Sequence, residues 1–237
     1  MKWDEMTEDF LRYLKLEKSL AKSSIDAYTR DVLRLREFVS EIENKNTAPD
    51  KISTEEIKRF LQWLNELGMS SRSQARMVSG IKMFYKFLLI EDYIAENPAS
   101  LIETPRIERK LPEVISIEEI DEMISTIDLS TNLGHRNKAI IETLYGCGLR
   151  VSELCNLLLS NVYFDKQFIR LVGKGNKERL VPVNLSAIES IKHYTEGQRR
   201  LTNIKKEAED NLFLTTRGRA ISRIMIFNII KKNEKNR

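Results

Sequence analysis

Apolar residues recur at helical spacing along most of this chain. In residues 1–18, Phe10, Leu11, Leu14 and Leu16 predict a first helix with one apolar side. Ser23-Ser24-Ile25-Asp26 has the form of a capping box, a hydroxyl followed three residues later by an acid. The helix it opens places Ile25, Tyr28, Val32, Leu35, Phe38 and Val39 on one face. Residues 44–50, with Pro49, read as a polar loop. Ser53-Thr54-Glu55-Glu56 is a second capping box, for a helix using Ile57, Phe60, Leu61 and Leu64 and stopped by Gly68. In the next helix Met77, Val78, Ile81, Phe84, Tyr85 and Leu88 cluster on one side. Between Leu67 and Ile90 there is no acidic residue, and Arg72, Arg76, Lys82 and Lys86 fall within an arc of about 120° opposite the apolar side. Ser70, Ser71, Ser73 and Ser79 add neutral donors.

Asn97-Pro98 ends this pattern. Residues 102–114 hold Pro105 and Pro112 together with Arg106, Arg109 and Lys110, which predicts an extended cationic linker. The chain therefore divides into a helical domain at 1–101, a linker at 102–114 and a second domain at 115–237. Ser116-Ile117-Glu118-Glu119 caps that domain's first helix, and residues 136–144 form the next. Residues 162–164, 168–172 and 180–183 predict a small antiparallel sheet. Residues 185–198 read as a helix, 212–214 as a short strand or extended segment, and 221–230 as an apolar helix running into a basic tail. The fold class is mainly α with a small antiparallel β-sheet.

Composition narrows the class. A 237-residue chain with 41% hydrophobic and 31% charged residues can bury a core without staples. No apolar run reaches the roughly 18–20 residues of a membrane span, and the N-terminus has no signal-peptide shape. The expectation is a cytoplasmic protein with no membrane partner. Cys147 and Cys155 lie in apolar context and read as small buried hydrophobes. With His135 and His193 they do not make a zinc-ligand pattern, so no metal is expected. The net charge of +4 is modest and sits in residues 101–237. Binding to a polyanion would rest on local patches.

Two stretches carry candidate chemistry. From Tyr145 to Leu158 the chain passes Gly146 and Gly148 and sets Arg150 where a helix begins, with Val151, Leu154, Cys155 and Leu158 as its buried face. A first helical turn favours acids, so an arginine there calls for an anion, which the helix's own N–H groups would also attract. Glu153, one turn on, is placed to orient Arg150 or a nearby backbone group. The second stretch is a hairpin whose glycine-rich turn, Gly173-Lys174-Gly175-Asn176-Lys177-Glu178-Arg179, presents three cations.

Together these stretches resemble the tyrosine recombinase (phage integrase) family, most closely its bacterial Xer-type members. Gly148-Leu149-Arg150-Val151-Ser152-Glu153-Leu154 is similar to the family's first arginine box, and Gly173–Arg179 to its catalytic-lysine hairpin. The resemblance extends over the whole chain. It implies an N-terminal core-binding (SAM-like) domain and a catalytic domain that together clamp double-stranded DNA. It also implies strand cleavage without cofactor, through a 3′-phosphotyrosyl intermediate. Arg150 would stabilise the phosphate's transition state, since guanidinium binds phosphate bidentately. Lys174 would protonate the leaving 5′ oxygen. Arg72, Arg76, Lys82, Lys86, Arg106, Arg109, Lys110, Lys177 and Arg179 would contact the DNA backbone. The family's remaining catalytic residues, a His-x-x-Arg pair, a later His or Trp and the nucleophilic Tyr, have no match in these 237 residues. The sequence therefore reads as a C-terminally truncated recombinase that binds DNA without cutting it, with apolar surface exposed around residues 221–230. The alternative is a DNA-binding module that occupies recombination sites and modulates an intact recombinase. Partner subunits on DNA, identical or not, go with either reading.

Overall fold

The computed structural model describes residues 3–43, 46–107, 114–173 and 177–235. It divides into two units, Met1–Leu111 and Pro112–Arg237.

The first unit contains α1 (Trp3–Leu16), α2 (Lys22–Glu37), α3 (Thr54–Glu66) and α4 (Ser71–Ile90). Each sends its apolar stripe into a common core, where Phe10, Leu14, Val32, Leu35, Phe60, Leu64, Phe84 and Leu88 are fully buried. Burial of such side chains contributes about 1.5–3 kcal/mol each. The inward face of α1 is Met6, Phe10, Tyr13 and Leu14. Leu16, expected among the apolar contacts, is 73% exposed. The capping box at Ser53 forms in full, with Glu56 accepting the Ser53 N–H at 2.8 Å. The one expected at Ser23 does not. Ala21 is the N-cap of α2, and its carbonyl already accepts from Ser24 and Ile25, so Ser23 lies inside the helix. Gly68 stops α3 with a left-handed φ of 73°.

Close approach of α2 and α4 depends on Gly80. A Cβ there would run into the Asp31 carboxylate and stand 3.0 Å from its Cβ and Cγ. Asp31 is fully buried, and Arg76 of α4 donates to both its oxygens, Nη1 to Oδ2 at 2.8 Å. Burial pushes the Asp31 carboxyl up, and the Arg76 hydrogen bonds and charge oppose that rise.

The second unit contains α5 (Ile117–Ser125), α6 (Gly134–Cys147), α7 (Val151–Cys155), β1 (Val162–Tyr163), β2 (Phe168–Val172), β3 (Glu178–Pro182), α8 (Leu185–Tyr194) and α9 (Arg223–Lys235). The sheet is antiparallel in the order β1-β2-β3, with Val162 opposite Ile169 and Leu171 opposite Arg179. Ile169 and Leu171 point into a core shared with α6, α8 and α9, leaving Arg170 and Val172 outward. Residues 209–214 are strapped across this core. Arg199, buried, donates to the carbonyls of Glu209, Asn211 and Leu212. Arg136, also buried, donates to Leu214, and the Tyr194 hydroxyl accepts the Leu214 N–H. The 212–214 stretch, expected as a short strand or an extended segment, is thus an extended strap held by single bridges, Leu158 to Asn211 and Leu214 to Ala220. Helix α9 buries Ile226 and Ile229 and leaves Ile224 and Phe227 73% and 60% exposed beside an apolar groove of about 820 Å³.

Overall the described residues are mainly helical with a small antiparallel sheet. Among them, no helix is long and apolar enough to cross a membrane.

Candidate DNA-processing site

The Arg150 turn is built by three local choices. Gly148 takes a left-handed conformation at φ 56°, which closes α6, and open space surrounds its missing Cβ. Leu149 then anchors the turn in the core at 7% exposure. Arg150 follows in extended conformation as the N-cap of α7, its carbonyl accepting the N–H groups of Glu153 and Leu154 at 2.9 and 3.1 Å. Helix α7 is short and ends at Cys155, so Leu158, expected on its buried face, lies beyond it and bridges to Asn211 instead. At this helix end the Arg150 N–H is taken, donating to Glu153 Oε2 at 2.8 Å.

Glu153 is the hub of this site. Its side chain is 11% exposed and accepts from the Arg150 backbone, from Arg150 Nη1 at 2.9 Å and from Arg179 Nη2 at 2.9 Å. Burial pushes this carboxyl up, but the hydrogen bonds from Arg150 and the charges of Arg179 and Arg150 outweigh it and hold Glu153 below its ordinary range. Arg150 itself stays 72% exposed, with most of its guanidinium fork open to solvent. One carboxylate thus joins α7 to β3 and leaves two guanidinium groups beside a cleft of about 690 Å³.

The hairpin forms the other wall. Gly173 donates to the Lys177 carbonyl at 2.8 Å where β2 and β3 meet the turn, and both residues line the cleft. Lys177 is exposed. Lys174 lies outside the described residues, as do Arg109 and Lys110. Arg170, also on the cleft, is held by Asn161 Oδ1 at 3.0 and 2.8 Å. The structure therefore brings Arg150, Lys177 and Arg179 to one cleft, with Arg179 engaged by Glu153.

In the first unit, Arg72 and Lys86 are exposed on α4, Lys82 is half-buried, and Arg106 is exposed beyond it. Arg76, expected on the same cationic arc, spends two nitrogens on Asp31, although its side chain remains 48% exposed. Asp31 was missed as its partner, yet a signal existed. Asp31 falls between Tyr28 and Leu35 in the phase of the apolar face of α2, and Gly80 sits likewise among Met77, Ile81 and Phe84. A carboxylate and a glycine inside two apolar stripes mark a packed ion pair.

Cys147 and Cys155 are free and buried. Among the described residues no group of three His, Cys, Asp or Glu side chains is placed to hold a metal ion.

Residues 113–237 match the Phage integrase family, and residues 7–92 match its N-terminal SAM-like domain. The chain is 38% identical over 225 residues to tyrosine recombinase XerD of Staphylococcus epidermidis, covering 95% of this chain and 75% of that protein. It is 39% identical over 230 residues to the XerD of Staphylococcus saprophyticus, covering 97% and 77%. Its fold is similar to that of a lambda integrase dimer bound to a COC′ core site, with a TM-score of 0.72 at 13% identity over 99% of this chain and 81% of that one. The XerH site-specific recombinase bound to its difH substrate gives 0.72 at 20% identity, over 98% and 69%.

Proposed function

This chain belongs to the phage integrase family of tyrosine recombinases, and from that premise we propose that it grips duplex DNA through both units and presents one phosphate to the Arg150 cleft. The observation that carries the proposal is the Glu153-centred pairing of Arg150 and Arg179 beside the hairpin. A guanidinium held at its base and open at its fork is suited to the non-bridging oxygens of a phosphodiester, where negative charge builds as the phosphorus is attacked.

In this proposal Arg150 stabilises that charge, and Lys174 delivers the proton to the leaving 5′ oxygen. Lys177 contacts a neighbouring phosphate. Arg179 positions Glu153 and, through its other nitrogens, reaches the same backbone. In the first unit Arg72, Lys82 and Lys86 meet the backbone along α4, while Arg76 chiefly holds α4 to α2. Arg106, Arg109 and Lys110 do the same along the linker, between a core-binding domain at 1–101 and a catalytic domain at 115–237. Lambda integrase and XerH are known as DNA-bound assemblies, and we extend to this chain assembly with recombinase subunits on DNA in the cytoplasm.

The 237 residues contain no His-x-x-Arg pair. Of the seven tyrosines, Tyr13, Tyr85 and Tyr194 are buried, and the hydroxyls of Tyr85 and Tyr93 are bonded to Pro49 and Asp9. Tyr28 and Tyr163 are half-buried and Tyr145 is exposed, and none of them follows a His-x-x-Arg pair, so we assign to the 237 residues the gripping of DNA and leave the attack to the test below. This also keeps open a second use, occupation of a recombination site beside an intact recombinase. The test is a nicked suicide substrate incubated with this chain and, as reference, with the tyrosine recombinase XerD of Staphylococcus epidermidis. Salt-dependent duplex binding by this chain, with a covalent adduct from the reference alone, supports the proposal. An adduct from the 237 residues themselves refutes the assignment.

A further inference from the structure

Outside the cleft, the second unit carries a group of cations with a different character. Residues 203–205 and 215–219 form two loops, and Gly218 brings them together. Its φ of 69° is left-handed, and a Cβ there would collide with the Asn203 carbonyl and come within 2.9 Å of Ile204 Cα. The junction is fixed by backbone hydrogen bonds: Lys205 donates to Gly218 at 2.9 Å, Thr215 to Arg219 at 2.7 Å and Gly218 to Thr215 at 3.0 Å. The Arg219 N–H donates to the Thr215 hydroxyl at 3.1 Å, and the strap at Leu214 is anchored below by Arg136.

On this frame stand Lys205, Arg217 and Arg219, all exposed, around a depression of about 430 Å³ whose remaining lining is Asn203 and Thr216. No carboxylate lines it. Arg76, Arg150, Arg170 and Arg179 each have an acidic partner. Among the described residues, none of these three cations is seen in an ion pair. Three like charges around one depression repel one another, and among the described residues no carboxylate is in ion-pair contact to offset that. An anion would. Two guanidinium groups, an ammonium, an amide and a hydroxyl are the donor set of a phosphate contact, and the fork of arginine favours phosphate over a halide.

We propose that Lys205, Arg217 and Arg219 form a phosphate cradle that holds the sugar–phosphate backbone of duplex DNA at a position separate from the Arg150 cleft. The cradle rests on the DNA-binding function proposed above. It anchors the second unit by a contact that carries no sequence information, so the cleft meets its phosphate from a fixed register.

The experiment measures duplex affinity by fluorescence anisotropy between 50 and 200 mM salt, for the wild-type chain and for the variant Lys205→Ala/Arg217→Ala/Arg219→Ala. Each lost phosphate contact lowers the slope of log K against log salt by about 0.9. With three contacts, the wild type should lose about 40-fold more affinity than the variant over that salt range. A charge-keeping variant, Arg217→Lys/Arg219→Lys, should retain most of the wild-type slope. Circular dichroism on all three confirms that the frame is folded. If the wild type shows no salt-dependent binding, the DNA reading fails and the cradle with it. If the wild type binds and the triple variant keeps the same slope, the cradle alone is refuted. It is refuted equally if inorganic phosphate raises the Tm of the wild type but not of the variant while both bind duplex with one slope, since the site would then serve the free ion.

Discussion

Replacing Arg76 by alanine decides whether that arginine serves the fold or the ligand. Asp31 is fully buried and its two oxygens are covered by Arg76. Removing the cation leaves a carboxylate in the core with only the weaker charge of Arg30 to oppose its burial, a change that costs about 3–5 kcal/mol. For a unit of this size that corresponds to a fall in Tm of roughly 12–20 °C. The reverse truncation, Asp31→Ala, is milder at about 1–2 kcal/mol, because the half-exposed Arg76 can turn to water. Gly80→Ala gains about 1 kcal/mol of helix propensity but displaces the carboxylate, for a net loss of about 2 kcal/mol. The assay is urea unfolding followed by tryptophan fluorescence, which is selective here because Trp3 and Trp63, the two tryptophans of the chain, both lie in the first unit. Acidification provides an internal check. Burial raises the folded-state pKa of Asp31 above its unfolded value, so its penalty is absent below about pH 3.8 and grows as pH rises through the folded pKa. Loss of Arg76 removes the opposing influence and enlarges that penalty at neutral pH. The deficit of Arg76→Ala should therefore shrink as pH falls, and Asp31→Asn added to it should restore more than half. A stability change under about 0.5 kcal/mol, with a DNA salt slope reduced by about 0.9, would show that Arg76 is a phosphate contact and that the pair is incidental.

Three further outcomes follow from the second unit. Gly148→Ala forces a side chain into the left-handed region without a steric clash, so it should cost about 1–2 kcal/mol in urea unfolding followed by circular dichroism; no loss would mean that another residue sets the turn. Glu153→Gln should flatten the acid limb of the stability curve. The folded-state pKa of Glu153 is depressed, so the stability it supplies is present above its unfolded value near 4.5 and is lost as pH falls through the folded value; an unchanged acid limb would contradict the pairing with Arg150 and Arg179. Burial pushes the Cys147 thiol up to about 11 and raises Cys155 as well, so a thiol reagent at pH 8 should titrate neither in the native protein and both in denaturant.

Much of the architecture is readable from spacing alone, because local rules set it. Ser53 and Ser116 each sit three residues before a glutamate and cap their helices as written. Strand β2 matches its alternation from Phe168 to Val172. Local rules fail where a tertiary partner intervenes. The acid that claims Arg76 comes from 45 residues earlier, so a helix free of acids looked more cationic than it is. Helix α7 stops at Cys155 because the chain must turn to meet the strap at Asp210 and Asn211, which no pattern near Leu158 announces. The cleft was legible at Arg150 and at the hairpin, since both lie in short motifs. The link between them was not, because Glu153 and Arg179 meet across 26 residues. The grouping of Lys205 with Arg217 and Arg219 was not legible for the same reason: Lys205 belongs to a different loop, which its hydrogen bond to Gly218 brings beside them.

The shared carboxylate at Glu153 has a consequence in entropy. A free arginine side chain must freeze several rotatable bonds when it takes a ligand, at about 0.5–1.5 kcal/mol per side chain. Arg150 and Arg179 have already surrendered part of that freedom to Glu153 during folding. An oxyanion arriving there, as proposed, would therefore meet two donors whose directions were chosen before it came, part of the disorder it would have to remove having been removed when the chain folded.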